Sequence, residues 1–238
     1  TEIGEILKQY ESPDYNDFVV LYRTNAQSRV LEEVFLRHGL PYRIVGGIKF
    51  YDRKEIKDML AYLRVLHNPA DGVSLLRIIN VPSRKIGSKT IEVVQNYARS
   101  EGLTLLAAMA RASSISGLSE AKVKVISKFV KLIDKLSDVN SEFAAAGVIK
   151  HVLEDARYKE FLDDGTSEGE ARLENVRELI SVASKYDSLE AGLSLSVFLE
   201  EVSLIADIDT SADGDNAVTF MTIHSAKGLE FPNVFVAG

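Results

Sequence analysis

Polar side chains cluster in a turn between two apolar segments near the end of the chain. The segment 217–223 is typical of a buried strand, and 233–237 is typical of a second one. Because ligands of open α/β sheets bind beyond the carboxyl ends of strands, we expect this turn to face a ligand. A carboxylate in such a place can accept both hydroxyls of a ribose. The turn contains Thr222, His224, Ser225, Lys227, Gly228 and Glu230.

Tyr22 and Arg23 stand at the end of an earlier apolar run, Phe18–Tyr22. An arginine guanidinium carries a permanent charge and a planar fork that suits phosphate oxygens. In phosphoryl-transfer enzymes, an arginine from a neighbouring domain can stabilise charge at the γ-phosphate. On residue types alone, structural roles are commoner than ligand binding for such a pair. The tyrosine would then cap a core, and the arginine would pair with a surface acid.

A third segment, which follows a short apolar stretch, combines glycine, basic and aromatic residues. Gly46 and Gly47 let the backbone approach a ligand closely. Lys49 and Arg53 suit a phosphate backbone, and the ring of Phe50 can stack a base. A tight turn with solvated charges explains the same composition equally well.

A fourth segment, Ser83–Thr90, lies between two predicted helices. Gly87 precedes a helix start, with Ser88 as its expected cap, and leaves backbone N–H groups free for an anion. Positive charge comes from Arg84, Lys85 and Lys89. A plain corner between helices would have a similar sequence.

Hydrophobic periodicity predicts the elements that carry these turns. After the strand Phe18–Tyr22 we expect a helix with Ser28 as its cap and Gly39 just past its end. Its inner face should hold Leu31, Val34 and Phe35. Tyr42–Val45 is predicted as the next strand, and strand–helix–strand at this spacing indicates a parallel sheet.

From Arg53 to about Asp207 the periodicity is helical only, and strands return at 217–223. An α/β domain interrupted by a helical insertion explains this order. The longer helices are expected around 119–137, 142–162, 167–186 and 194–206.

The 238 residues carry a net charge of −7, but that charge is unevenly distributed. Residues 1–100 hold 15 lysines and arginines against 12 acids, so the remainder holds 13 against 23. A basic face is therefore compatible with an acidic chain. The chain has no cysteine, no apolar run near about 18 residues and no Gly-x-x-x-x-Gly-Lys-Ser/Thr loop. We therefore expect no disulfide, metal site, membrane span or complete triphosphate site.

Two segments in the right order give a specific resemblance. Residues 20–29, Val-Leu-Tyr-Arg-Thr-Asn-Ala-Gln-Ser-Arg, resemble motif IV of the UvrD/PcrA/Rep type of superfamily 1 DNA helicase, and residues 218–231 resemble its motif V. Residues 46–57 are similar to motif IVa. The resemblance implies the second RecA-like domain, a partial P-loop-NTPase-type sheet split by a helical 2B-like subdomain. The implied parts are 1–52, 53–210 and 211–238, and both chain ends are expected to be cut from a longer protein.

The resemblance also implies roles for the residues. Arg23 would act at the γ-phosphate, Tyr22 would stack on adenine, and Glu230 beside Gly228 would bind the ribose. Single-stranded DNA would contact Thr222, His224, Ser225 and Lys227, together with Gly46, Gly47, Lys49, Phe50 and Arg53. Duplex or junction DNA would contact Arg84, Lys85, Gly87 and Lys89.

The implied parent is a cytoplasmic ATP-dependent 3′-to-5′ DNA helicase of DNA repair or replication. ATP and Mg²⁺ would bind the full-length protein, in a cleft shared with a first RecA-like domain, and neither is expected to bind this chain tightly. Repair proteins are further expected partners, and a membrane is not. Two alternatives stay open: a catalytically inert DNA-binding or regulatory module, and the helicase subunit of a nuclease–helicase recombination complex.

Overall fold

The computed structural model describes residues 14–210 and 216–237 and divides the chain into two compact units. The sheet unit comprises residues 1–53 and 202–238, and the helical unit comprises residues 54–201. The sequence pattern predicts an insertion over 53–210, whereas the helical unit ends at Glu201, inside the last helix.

Within the described residues, the sheet has four parallel strands in the order β2-β3-β1-β4. Val19 of β1 pairs with Thr219 of β3, and Tyr42 of β2 pairs with Val218 of β3. The central strands are buried along nearly their whole length, which explains their continuous apolar sequences. The strands are β1 (Phe18–Tyr22), β2 (Tyr42–Ile44), β3 (Val218–Thr222) and β4 (Asn233–Ala237).

Aromatic rings fill the core of the sheet unit. Phe35 meets Phe220 edge to face, with ring centroids 4.7 Å apart, and Tyr42 stacks on Phe220 at 5.0 Å. Phe18 and Val20 of β1 belong to the same buried cluster. Each fully buried side chain of this size stabilises the fold by roughly 1.5–3 kcal/mol, so this cluster fixes the strands whose ends carry the predicted site.

The helix after β1 is α1 (Ser28–Arg37). Ser28 was the expected cap, but it is the first helical residue and Gln27 occupies the cap position. A capping box of Thr24 and Gln27 instead begins the short 3-10 turn Asn25–Gln27. The buried face of α1 contains Glu32 and Glu33 as well as Phe35, whereas the predicted apolar residues Leu31 and Val34 are only half-buried.

The helical unit consists of helices, as the sequence predicts, but some of their boundaries differ from the predicted ones. The predicted helix 142–162 is wrong, because the chain forms two helices separated near Arg157, whose φ of +56° lies in the left-handed region. No helix among the described residues is long and apolar enough to cross a membrane. The helices are α2 (Lys54–His67), α3 (Gly72–Ile78), α4 (Ser88–Glu101), α5 (Leu105–Ala110), α6 (Glu120–Glu142), α7 (Ala145–Asp155), α8 (Tyr158–Leu162), α9 (Ser167–Ala183) and α10 (Leu193–Thr210).

Helix α2 forms the centre of the helical unit and is buried on most of its surface. Two of its buried carboxylates have specific partners. Asp58 accepts a hydrogen bond from the Tyr158 hydroxyl at 3.0 Å and pairs with Arg77 at 2.8 Å. Glu55 accepts one from the Asn175 amide at 2.6 Å. Because a buried charge is costly unless it is paired, these contacts fix how α8 and α9 pack on α2.

Candidate functional site

The predicted site residues of the sheet unit follow three adjacent parallel strands. Since parallel strands point the same way, the turns after β1, β2 and β3 all lie at the carboxyl edge of the sheet. Those turns contain Arg23, the segment 46–53 and the segment 223–228, whereas Glu230 lies on the connection that leads back to the start of β4. The fold therefore brings three separately predicted segments to one edge.

The turn after β3 is held by its own hydroxyl groups. The Thr222 and Ser225 oxygens lie 2.8 Å apart, and the Ser225 N–H donates to the Thr222 hydroxyl oxygen at 3.2 Å. The Ile223 N–H donates to the Tyr22 carbonyl at 2.9 Å, which fixes the turn to the end of β1. His224 and Lys227 are exposed on this turn, and Glu230 is exposed just after it.

Glycine is required where two of the turns approach each other. Gly46 has a φ of +73°, and a Cβ atom there would lie 3.1 Å from the Ser225 hydroxyl oxygen. The Val45 N–H donates to the Phe220 carbonyl at 2.9 Å, which holds this turn beside β3. The predicted DNA-contacting residues Gly46 and Ser225 are therefore neighbours.

Arg23 projects from the turn after β1 with an exposed side chain. The N–H groups of Arg23 and Thr24 both donate to the side-chain oxygen of Gln27, at 2.9 and 3.0 Å. None of the described residues forms a hydrogen bond or ion pair with its guanidinium. The backbone is thus held while the charged end stays accessible to an anion.

Tyr22 differs from Arg23 because its ring is only 1% exposed. Burial raises the pKa of Tyr22 to about 12, and the nearby Glu32 carboxylate adds to the effect. In this conformation the ring offers no face to a base. Stacking on adenine stays a prediction, and it requires a movement that uncovers the ring.

Phe50 and Arg53 do not fit the DNA contacts predicted for them. Phe50 has no exposed surface, and its ring lies 5.2 Å from the Arg53 guanidinium. Arg53 is 6% exposed and donates to the carbonyl oxygens of Ile48 and Asn25. Both side chains hold the fold at this edge, since neither has a surface that a phosphate or a base could reach.

Two other residues of the same segment remain near the surface. Lys49 is half-buried, with its ammonium 5.7 Å from the centre of the Tyr42 ring. Gly47 is exposed, and a Cβ atom on it would lie 3.0 Å from a methyl carbon of Ile44. DNA contacts by Lys49 and Gly47 stay predictions.

In the helical unit, the segment 83–89 separates into an inward arginine and outward lysines. The Arg84 guanidinium donates to the Tyr62 hydroxyl at 2.6 Å and to the carbonyl oxygens of Ile78 and Pro82 at 2.9 and 3.1 Å. It also lies 5.1 Å from the Phe129 ring centre. Arg84 therefore shapes this segment from inside, and its predicted phosphate contact does not fit these bonds.

Lys85 and Lys89 are exposed. Lys85 has a φ of +62°, and its carbonyl accepts a hydrogen bond from the Lys122 ammonium at 2.7 Å. Gly87 is the cap of α4, and Ser88, the expected cap, is its first helical residue. Two lysines at the start of a helix fit a phosphate better than Arg84 does.

The residues fit part of an ATP site. The exposed guanidinium of Arg23 at the carboxyl edge suits phosphate, and the exposed carboxylate of Glu230, after the turn that follows β3, suits ribose. Within residues 14–210 and 216–237, no group of three or more histidine or acidic side chains is arranged to hold a metal ion.

Two buried acids beneath this edge are not indicated by the sequence. Glu32 and Glu33 lie on the inner face of α1, where Glu33 pairs with Arg29 at 2.6 Å. No local signal predicts their burial, because both glutamates lie outside the apolar stripe of Leu31, Val34 and Phe35.

Comparison with known proteins gives a consistent result. The family model described as the UvrD-like helicase C-terminal domain matches residues 1–238. The chain is 47% identical to the ATP-dependent DNA helicase PcrA of Staphylococcus aureus, over 99% of this chain and 33% of that protein. It is 46% identical to the protein of the same name from Staphylococcus epidermidis, with the same coverage. The chain thus spans about a third of the length of the curated relatives it matches.

Proposed function

Because the chain belongs to the family of UvrD-like helicase C-terminal domains, we propose that it forms the second RecA-like domain, with a helical insertion, of an ATP-dependent 3′-to-5′ DNA helicase. The observation that carries the proposal is the arrangement of three turns at one carboxyl edge, with Arg23 exposed and Gly46 against Ser225. DNA repair or replication as the process, repair proteins as partners and the cytoplasm as the location stay predictions.

The nucleotide part of the proposal assigns different chemistry to each exposed group. Arg23 stabilises the negative charge that develops on the transferred phosphoryl group, and Glu230 accepts the ribose hydroxyls. ATP and Mg²⁺ bind in the full-length protein, where a first RecA-like domain supplies the phosphate-binding loop that this sequence lacks. The Gln27 contacts support this role, because a fixed backbone places the Arg23 side chain reproducibly.

The DNA part of the proposal uses the turn after β3 and its neighbour. The exposed His224 and Lys227, with the hydroxyl of Ser225, bind phosphates of a single strand, and Gly46 lets the backbone come close. Lys85 and Lys89 of the helical unit bind duplex phosphates. Phosphate contacts carry no base information, so both modes are sequence-independent and weaken with salt.

The proposal is tested with the full-length protein and with this chain alone. We expect the full-length protein to hydrolyse ATP faster with single-stranded DNA and to unwind duplexes with a 3′ overhang. This chain alone should not hydrolyse ATP, because it contains no phosphate-binding loop. DNA binding by the full-length protein without ATP hydrolysis would overturn the helicase proposal and favour the inert DNA-binding module.

A further inference from the structure

A buried ion-pair cluster lies beneath the carboxyl edge of the sheet. Glu32 of α1 is 4% exposed and Arg53 is 6% exposed, and an Arg53 nitrogen lies 3.9 Å from a Glu32 oxygen. Charges buried this deeply are costly unless each has good partners. The partners of this pair therefore show which parts of the chain the pair holds.

The Arg53 guanidinium bridges two turns that are far apart in sequence. Its Nε donates to the Ile48 carbonyl at 3.2 Å, in the turn after β2. One terminal nitrogen donates to the Asn25 carbonyl in the turn after β1 and to the Ser28 hydroxyl at the start of α1, both at 2.8 Å. One planar group thus fixes the spacing between the two turns.

The Glu32 carboxylate also accepts hydrogen bonds from both regions. One carboxylate oxygen accepts from the Ser28 hydroxyl at 2.5 Å, and the other accepts from the Phe50 N–H at 2.9 Å. The carboxylate therefore also joins the start of α1 to the end of the turn after β2. Because buried polar networks act as units, loss of one member weakens all of these contacts.

The two bridged turns carry the two proposed ligand sites. Arg23, the proposed γ-phosphate contact, lies two residues before Asn25. Gly46, against Ser225 in the proposed DNA site, lies two residues before Ile48. The Arg53 guanidinium is therefore bonded both to the turn that carries Arg23 and to the turn that carries Gly46.

We propose that Arg53 is a positioning residue that couples DNA binding to ATP hydrolysis by holding the Arg23 turn in register with the Gly46 turn. The inference rests on the proposed function. Lysine cannot replace Arg53, because a single ammonium lacks the planar fork that reaches Ile48, Asn25 and Ser28 together.

The test compares Arg53→Lys with wild type in the full-length enzyme. The measured quantity is the ratio of kcat for ATP hydrolysis with saturating single-stranded DNA to kcat without DNA. We expect this ratio to fall by about tenfold, which corresponds to the loss of about 1.4 kcal/mol of DNA-dependent lowering of the activation barrier. A purely structural loss would instead lower both rates together and leave the ratio unchanged.

Arg77→Lys is the matched control. Arg77 also pairs with a buried carboxylate, that of Asp58 at 2.8 Å, but both residues belong to the helical unit and not to either turn. The control should keep the wild-type ratio. A ratio for Arg53→Lys within about twofold of the control would overturn the proposal, since the proposal requires a loss of about tenfold.

A milder variant can be used if Arg53→Lys misfolds. If Arg53→Lys does not fold, Ser28→Ala answers the same question, because it removes the hydroxyl shared by Arg53 and Glu32. It should lower the ratio in the same direction, and an unchanged ratio in folded Ser28→Ala would then reject the proposal. Absence of DNA stimulation in the wild type would count against the proposed function itself and not against the Arg53 bridge.

Discussion

The carboxyl edge of the sheet and the segment 83–89 each contain an arginine that forms hydrogen bonds within its own chain. The two regions differ in whether the positive charge of that arginine is neutralised. In each region, an arginine predicted to hold DNA instead donates to carbonyl oxygens of its own chain: Arg53 to Ile48 and Asn25, Arg84 to Ile78 and Pro82. The planar fork of arginine suits it to gather several carbonyls, whereas lysine offers a single hydrated charge. The exposed cations beside them are the better candidates for phosphate.

The difference between the two regions lies in what neutralises the arginine. Arg53 lies 3.9 Å from Glu32, so the cluster adds little net charge to the sheet edge. The oxygens that bind Arg84, from Tyr62, Ile78 and Pro82, are uncharged. Arg84 thus contributes its positive charge to the field around Lys85 and Lys89 without touching a phosphate. Counting basic residues cannot distinguish these two cases.

The largest expected effect is at the exposed arginine of the sheet edge. In the full-length enzyme, Arg23→Ala should lower kcat for ATP hydrolysis by about 10³-fold, because arginines that act on the transition state contribute on that order. ATP affinity should change far less. Steady-state kinetics and nucleotide titration measure the two quantities. Arg37→Ala, an exposed arginine at the end of α1, is the control. Near-normal turnover of Arg23→Ala would show that Arg23 does not act on the transition state.

An intermediate effect is expected for Arg84→Ala, and it concerns the stability of the fold. Arg84→Ala should lower the free energy of unfolding by about 2–3 kcal/mol, because hydrogen bonds to charged groups contribute about 1.5–3 kcal/mol and their acceptors would lose their donor. Lys89→Ala, an exposed change in the same segment, should stay within about 0.5 kcal/mol of wild type. Urea unfolding of this chain measures both. Equal values for the two variants would contradict the structural role of Arg84.

The smallest effect is expected for the exposed lysines. A double change of Lys85 and Lys89 to alanine should reduce the slope of log affinity against log salt for duplex DNA by at most about 1.8, since each neutralised phosphate contributes about 0.9. Fluorescence anisotropy over a range of salt concentrations gives this slope. The matched control changes Lys150 and Lys159, exposed lysines elsewhere in the helical unit. A slope equal to that of wild type would make the segment a plain helix corner.

The sequence predicts the sheet well, because its central strands are buried on both faces. Phe18–Tyr22 and Val218–Thr222 appear as continuous apolar runs for this reason, and the parallel pairing follows from the strand–helix–strand order. The same logic fails at the end of α7. The left-handed backbone of Arg157 is not a usual choice for an arginine, so nothing in the local pattern predicts the break there.

The candidate site is predictable in location but not in exposure. Residue type and the end of a strand place Arg23 and Lys227 at the carboxyl edge. The burial of Phe50 depends on a hydrogen bond to Glu32, 18 residues earlier, and on the packing of Arg53 over its ring. Such contacts arise only when the turns have come together, so the local sequence does not encode them.

The strand order has a consequence for how this protein is made. β3 lies between β1 and β2, yet it begins 174 residues after β2 ends. At a synthesis rate of about 5–20 residues per second, roughly ten to thirty-five seconds separate them. Residues 54–201 are continuous in sequence and can fold as they leave the ribosome. The two earlier strands must wait, with apolar side chains uncovered, for a third strand to enter between them. A chaperone that shields Phe18–Tyr22 during that interval would therefore protect the unpaired strands from aggregation.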